Sequence, residues 1–174
     1  MKKKYIWISI GVILGALVLI KISSSDANDT QKLTTTFVAN KVESSLSSLS
    51  TQANELGDIH IGDGLVDTEF HFKNTGNEAI AILHGETSCM CTKAIIKKKN
   101  GEISPRIVMP GHGGSNVRIN MTIEPGEEAI LLATFDPMAH GPNALGPIQR
   151  EIMLDTNSTQ TPTIQFSFNG NVIK

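Results

Sequence analysis

The chain is poor in aromatic residues and in net charge. Aromatic residues make up 5% of its 174 residues, and 15 Lys and Arg against 17 Asp and Glu leave a formal net charge of −2. Nucleic-acid-binding surfaces normally need clustered positive charge, and proteins that bind single strands need aromatic platforms for the bases. We therefore expect no nucleic-acid partner.

The sequence also lacks the motifs of common enzyme classes. It contains no Gly-x-Ser-x-Gly, no phosphate-cradling glycine loop and no His-Glu-x-x-His. A dyad of Cys89 or Cys91 with His112 or His140 is compatible with the sequence, so cysteine-based redox activity stays open. No other catalytic residue is predicted, and a binding protein is favoured over an enzyme.

Long hydrophobic runs are missing except at the amino terminus. Residues 5–22 carry one charge, Lys21, and follow the basic tip at residues 1–4. This length is near the lower limit for a transmembrane helix, and the preceding lysines favour a cytoplasmic start. A cleaved signal peptide is the alternative. Both interpretations put the rest of the chain outside the cytoplasm, in the periplasm or the extracellular space, and the first makes it a single-pass membrane protein.

Residues 23–55 are rich in Ser and Thr and predict a stalk. Apolar residues recur in and just beyond it at intervals of three to five, which is a weak helical period. The alternatives are a partly helical stalk and a disordered spacer. The recurring residues are Leu33, Phe37, Val42, Leu46, Leu49, Ala53 and Leu56.

From residue 56 the apolar pattern changes to period two. Several short alternating segments are separated by turn residues, and a run of lysines at residues 97–99 predicts a solvated hairpin tip. Short strands spaced in this way predict an all-β fold, an immunoglobulin-like antiparallel β-sandwich over residues 56–174. The inward side chains of the last strand are predicted to include Phe166 and Phe168.

The chain has two cysteines, which flank Met90. On a strand, residues i and i+2 point to one side with Cα atoms about 6.6–6.8 Å apart, the upper limit for a disulfide. Three roles for Cys89 and Cys91 therefore remain open: a disulfide, a pair of soft metal ligands, and thiol exchange.

Two loops rich in Gly and Pro add further soft donors. Cys, Met and His side chains together suit copper(I), and Cys with His can hold zinc. Solvent exposure of the loop histidines is the alternative to metal ligation. The predicted metal ligands are Cys89, Met90, Cys91, Met109, His112, Met138 and His140.

Several motifs resemble a bacterial envelope family known as "domain of unknown function 1573". They include Phe72-Lys73-Asn74-Thr75-Gly76, Ser88-Cys89-Met90-Cys91-Thr92, Pro125-Gly126-Glu127 and Phe135-Asp136-Pro137. The family usually has Gly where this chain has Met90. The resemblance implies an immunoglobulin-like fold on an envelope or secreted protein.

Together these observations predict a membrane-anchored, extracytoplasmic binding module. Its partner is expected to be a protein or another envelope component, and its role non-catalytic. The alternative is a soft-metal, copper-binding or thiol-redox protein that uses Cys89-Met90-Cys91.

Overall fold

The computed structural model describes residues 40–112 and 118–174, and the compact unit within it spans Lys41–Lys174. The predicted basic tip, the predicted anchor at residues 5–22 and the stalk up to residue 39 lie outside the described residues. The described part contains no helix with the length and apolarity of a membrane span. Its strands are β1 (Leu46–Ser48), β2 (Ala53–His60), β3 (Val66–Asn74), β4 (Ile80–Thr87), β5 (Thr92–Lys98), β6 (Arg118–Ile123), β7 (Glu128–Phe135), β8 (Gly146–Thr156) and β9 (Thr163–Ile173).

These strands form two sheets. One has the order β1-β3-β7-β5, and the other has the order β2-β9-β8-β4-β6. Every neighbouring pair is antiparallel except β2 and β9, which run parallel. The predicted all-β class is therefore confirmed, but the predicted antiparallel pairing fails for β2 and β9.

Alternating side chains join the two sheets in one core. Phe70 of β3 and Phe166 of β9 are fully buried, with ring centroids 5.2 Å apart. Phe135 of β7 meets Phe168 of β9 at 5.9 Å. Since β3 and β7 belong to one sheet and β9 to the other, these contacts pack the sheets face to face. The predicted inward orientation of Phe166 and Phe168 is confirmed.

The helical interpretation of the stalk is wrong for its described part. Leu46–Ser48 forms β1, and β2 begins at Ala53, before the predicted start of the sandwich. Leu46 is buried against the core, and its strand pairs with the end of β3. The Ser44 hydroxyl donates to Asn74 Oδ1 at 3.1 Å. These long-range contacts outweigh a weak local period.

Lys97 and Lys99 in the predicted solvated tip are exposed, but Lys98 is not. The Lys98 side chain is 7% exposed, and its Nζ donates to the carbonyl of Thr122 at 2.8 Å. It also contacts the carboxylates of Glu102 at 3.1 Å and Glu127 at 3.2 Å. Burial lowers the pKa of Lys98, but hydrogen bonds to the two glutamates outweigh that effect and raise the pKa above its ordinary value.

Two connections cross between the sheets at the same end. Residues 88–91 lead from β4 in one sheet to β5 in the other, and residues 136–145 lead back from β7 to β8. The register pairs Thr92 with Phe135, so β5 begins where β7 ends. We call these two connections the cysteine end of the sandwich. The region around Asn74, at the other end of β3, is called the Asn74 end.

Candidate functional site

A tight turn carries the cysteine pair. Cys89 and Cys91 are joined by a disulfide, with their Cα atoms 5.3 Å apart. The Thr92 amide donates to the carbonyl of Cys89 at 3.1 Å, which closes the turn. The Thr87 hydroxyl bonds the carbonyls of both Cys89 and Thr92, at 3.1 and 3.2 Å. A turn brings the two residues closer than the extended strand considered in the sequence analysis.

The two sulfurs differ in accessibility. Cys91 is 2% exposed and belongs to the core, whereas Cys89 is half-buried and only packs against it. Met90 is 42% exposed. A molecule that approaches from solvent therefore reaches Cys89 before Cys91.

His140 lies beside the outer sulfur. Its Nε2 is 3.2 Å from Cys89 Sγ. The loop that carries His140 is fixed to the cysteine turn, because the Asp136 amide donates to the carbonyl of Cys91 at 2.8 Å. Within the loop, the Met138 amide donates to the Asp136 carboxylate at 2.9 Å. A main-chain hydrogen bond between the two connections thus helps to hold the histidine beside the sulfur.

Arg150 lies beside the inner sulfur. Its Nε donates to Cys91 Sγ at 3.0 Å, and a terminal nitrogen donates to the carbonyl of Gln149 at 2.7 Å. The guanidinium also lies 5.8 Å from the ring centroid of Phe135. Burial lowers the pKa of Arg150 from its ordinary value, but arginine stays protonated in proteins at neutral pH.

Arg150 was not among the predicted site residues, although its place in the alternating pattern of β8 indicates an inward side chain. Arg150 falls in the alternating set with Ile152 and Leu154, so a charged side chain shares the inward face of β8. Buried charges normally have a partner. A charged residue at an inward position therefore predicts a nearby partner, and in the structure that partner is the sulfur of Cys91.

Of the four predicted cysteine and histidine ligands, the structure brings together three. The donor atoms of Cys89, Cys91 and His140 lie within 4.8 Å of one another. His112 is exposed and is not in this group. Met90 and Met138 are both exposed in the cysteine-end connections, and Met109 is half-buried in the segment after β5.

The arrangement supports two kinds of chemistry. When oxidised, the site presents a disulfide with a side-chain nitrogen atom close to each sulfur. When reduced, it presents two thiolates and an imidazole, which are ligands for soft metal ions.

Comparison with known proteins finds one family model that matches part of the chain. Residues 47–111 match the family model "Protein of unknown function (DUF1573)". The resemblance inferred from the sequence motifs is confirmed over this DUF1573 segment, which runs from β1 past the cysteine turn. No curated protein sequence matches the chain.

One solved structure shares the fold at low sequence identity, and a second matches with a lower TM-score. A protein of unknown function from Porphyromonas gingivalis W83 is 13% identical with a TM-score of 0.55, over 78% of this chain and 50% of that one. This chain thus spans half the length of that protein. A PapD-like domain of human CEP192 is 12% identical with a TM-score of 0.44, over 77% of this chain and 87% of that one. The first of these matches supports the β-sandwich fold.

Proposed function

We propose that the protein is a membrane-tethered, extracytoplasmic immunoglobulin-like module that exchanges disulfides with a partner protein through Cys89 and Cys91. The observation that carries the proposal is the pair of flanking nitrogens, with His140 Nε2 3.2 Å from Cys89 Sγ and Arg150 Nε 3.0 Å from Cys91 Sγ. The charge-poor run at residues 5–22 supports the tether, and disulfides persist outside the cytoplasm.

Exchange begins at the outer sulfur. A thiolate of the partner attacks Cys89 Sγ, the bond between the two cysteine sulfurs breaks, and Cys91 leaves with the electron pair as a thiolate. A second partner thiolate then attacks the partner sulfur of the mixed disulfide and releases Cys89. The partner dithiol becomes a disulfide, and this protein gains two electrons and two protons.

The flanking side chains favour both steps. The Arg150 guanidinium stabilises the negative charge on departing Cys91, and a leaving thiolate that is more stable departs faster. His140 is positioned to supply the proton that Cys89 takes up on release. The same groups act in reverse when the reduced pair attacks a partner disulfide.

Trapping experiments test the order of attack. In the full-length chain in detergent, the Cys91→Ser variant should accumulate a mixed disulfide at Cys89 with a small aromatic disulfide reagent. Cys89→Ser should react at least about tenfold more slowly, because its remaining thiol is buried. Equal rates for the two variants contradict the assignment.

The reduction potential tests the redox role itself. We expect a value above about −300 mV, because structural disulfides lie below that limit. The measurement equilibrates the full-length protein in thiol buffers and follows the mass gain of about 2 Da by intact mass spectrometry. A lower potential would show that the disulfide is an inert structural bond and would contradict the redox role.

A second candidate function is binding without electron transfer. Exposed apolar side chains occur in the connections at the cysteine end and next to it, and such side chains favour protein contact. In the described ranges these are Leu65, Met90, Met138 and Leu145. A partner that binds the Cys89→Ser, Cys91→Ser double variant as tightly as the native protein supports this candidate over disulfide exchange.

A further inference from the structure

We infer that the reduced cysteine pair and His140 form a copper(I) site, so that metal binding and disulfide formation exclude each other. The inference rests on the proposed function, because it requires a pair that can be reduced. The ligand atoms are Cys89 Sγ, Cys91 Sγ and His140 Nε2, which lie within 4.8 Å of one another.

The distances suit a single ion. Bonds from soft metals to sulfur and nitrogen are about 2.0–2.3 Å, so three donors around one ion lie about 3.8 Å apart. His140 Nε2 is 3.2 Å from Cys89 Sγ before any adjustment. Breaking the disulfide frees the two sulfurs to move apart by side-chain rotation, while the turn keeps the Cα atoms 5.3 Å apart.

The backbone holds these donors together whether or not the disulfide is present. The Asp136 amide binds the carbonyl of Cys91, and the Thr87 hydroxyl binds the carbonyl of Cys89. Neither hydrogen bond involves a sulfur atom. Reduction therefore leaves the two connections in place, and metal binding needs little further ordering of the chain.

The charges favour a monovalent ion. Two thiolates carry −2, copper(I) adds +1, and the neighbouring Arg150 guanidinium adds +1, so the cluster is neutral. Zinc(II) would leave one uncompensated positive charge beside Cys91, which is buried and therefore poorly solvated. Structural zinc also prefers four protein ligands, whereas this group has three.

Metal binding and oxidation use the same two sulfur atoms. Copper(I) binds them as thiolates, and the disulfide contains no thiolate. The partner dithiol of the proposed exchange supplies the two electrons that open the site. Because the ion binds only the reduced form, it stabilises that form and raises the reduction potential of the pair.

The test is a competition titration under anaerobic conditions. Full-length protein in detergent, reduced with a phosphine, competes for copper(I) with a chromophoric chelator. We expect one equivalent to bind to the reduced protein and none to the disulfide form. His140→Ala should weaken binding at least about tenfold. His112→Ala is the matched control, because His112 is an exposed loop histidine outside the group, and it should bind like the native protein.

The charge argument has its own test. Arg150→Met should bind copper(I) more weakly relative to zinc(II) than the native protein does, because it removes the positive charge that completes neutrality. An unchanged ratio of the two affinities overturns the charge argument and with it the choice of copper(I).

The outcomes separate this inference from the proposed function. If the phosphine produces no mass gain of about 2 Da, the pair cannot be reduced and both ideas fall. If the mass rises but copper(I) does not bind, the metal site alone is overturned. Equal losses of affinity in His140→Ala and His112→Ala overturn the ligand set.

Discussion

The two ends of the sandwich hold their polar groups in different ways. At the Asn74 end, the fully buried Asn74 side chain donates to the carbonyls of Glu78 at 2.8 Å and Ile123 at 2.9 Å. Its oxygen accepts from the Gly76 amide and the Ser44 hydroxyl. At the cysteine end, His140 is exposed, and its ring contacts one sulfur.

The Asn74 end contributes to the stability of the fold, and the cysteine end carries the reactive side chains. Asn74 makes four side-chain hydrogen bonds, and the two with Ser44 and Ile123 are buried, so its loss removes hydrogen bonds from the interior. At the cysteine turn, the Thr92 and Asp136 amides and the Thr87 hydroxyl donate to main-chain carbonyls. These hydrogen bonds involve no sulfur, so the sulfurs can change state without breaking them. A module built in this way can tolerate reduction and oxidation at one end while the other end stays fixed.

The largest effect should come from breaking the Asn74 end. Asn74→Ala removes the side-chain hydrogen bonds to the carbonyls of Glu78 and Ile123, and we expect a loss of about 3 kcal/mol in the free energy of unfolding. Urea unfolding followed by circular dichroism measures it. Asn77→Ala, at an exposed position in the same turn, is the control and should cost less than about 0.5 kcal/mol. Similar losses for both variants would contradict the contrast between the ends.

A smaller loss should follow removal of the disulfide. The loop closed by residues 89–91 is short, and the loop-entropy relation gives about 1.6 kcal/mol for three residues. The Cys89→Ser, Cys91→Ser variant should therefore be less destabilised than Asn74→Ala in the same urea experiment. Chemically reduced native protein should match the double variant. A loss as large as that of Asn74→Ala would make the pair a structural crosslink.

Removing the charge beside Cys91 should slow its chemistry. Arg150→Met loses a charge-assisted hydrogen bond, a contact worth about 1.5–3 kcal/mol, so reduction by dithiothreitol should slow at least about tenfold. Arg150→Lys should recover part of the rate. Lys93→Met, an exposed cation on β5, serves as the control and should react at the native rate. Equal rates for all three variants would remove Arg150 from the exchange.

Local periodicity predicts the strands well but cannot predict which loops meet. The alternation that placed Phe166 and Phe168 inside is a property of neighbouring residues, and both are fully buried. The contact between Cys89 and His140 joins residues 51 apart, and that between Cys91 and Arg150 joins residues 59 apart. Both contacts depend on sheet register and on two crossings between sheets, which no local pattern encodes.

The same reasoning explains the errors in the described part of the stalk and at Lys98. In the sequence, Leu46 belongs to a weak helical pattern. In the structure, its strand pairs with residues of β3 that lie more than twenty positions later. Lys98 looks like one of several solvated lysines until β6 and the turn before β7 supply its carbonyl and carboxylate partners. In each case tertiary contacts override the local preference.

The smallest effect should appear at Lys98, and it depends on pH. The raised pKa means that the folded protein holds this proton more tightly than the unfolded chain does. Its contribution to stability is therefore complete below the ordinary lysine pKa of about 10.4 and is lost as the pH rises through the higher value of the folded state. Lys98→Met should cost about 1 kcal/mol at neutral pH.

The loss of unfolding free energy in Lys98→Met, measured by urea unfolding, should be smaller above about pH 10.4. Lys99→Met is the matched control, because the Lys99 side chain is 78% exposed and pairs with Glu128, so its removal should cost less at neutral pH. If the loss in Lys98→Met stays constant into strong alkali, Lys98 stabilises the fold through packing of its methylene groups and not through its ion pairs.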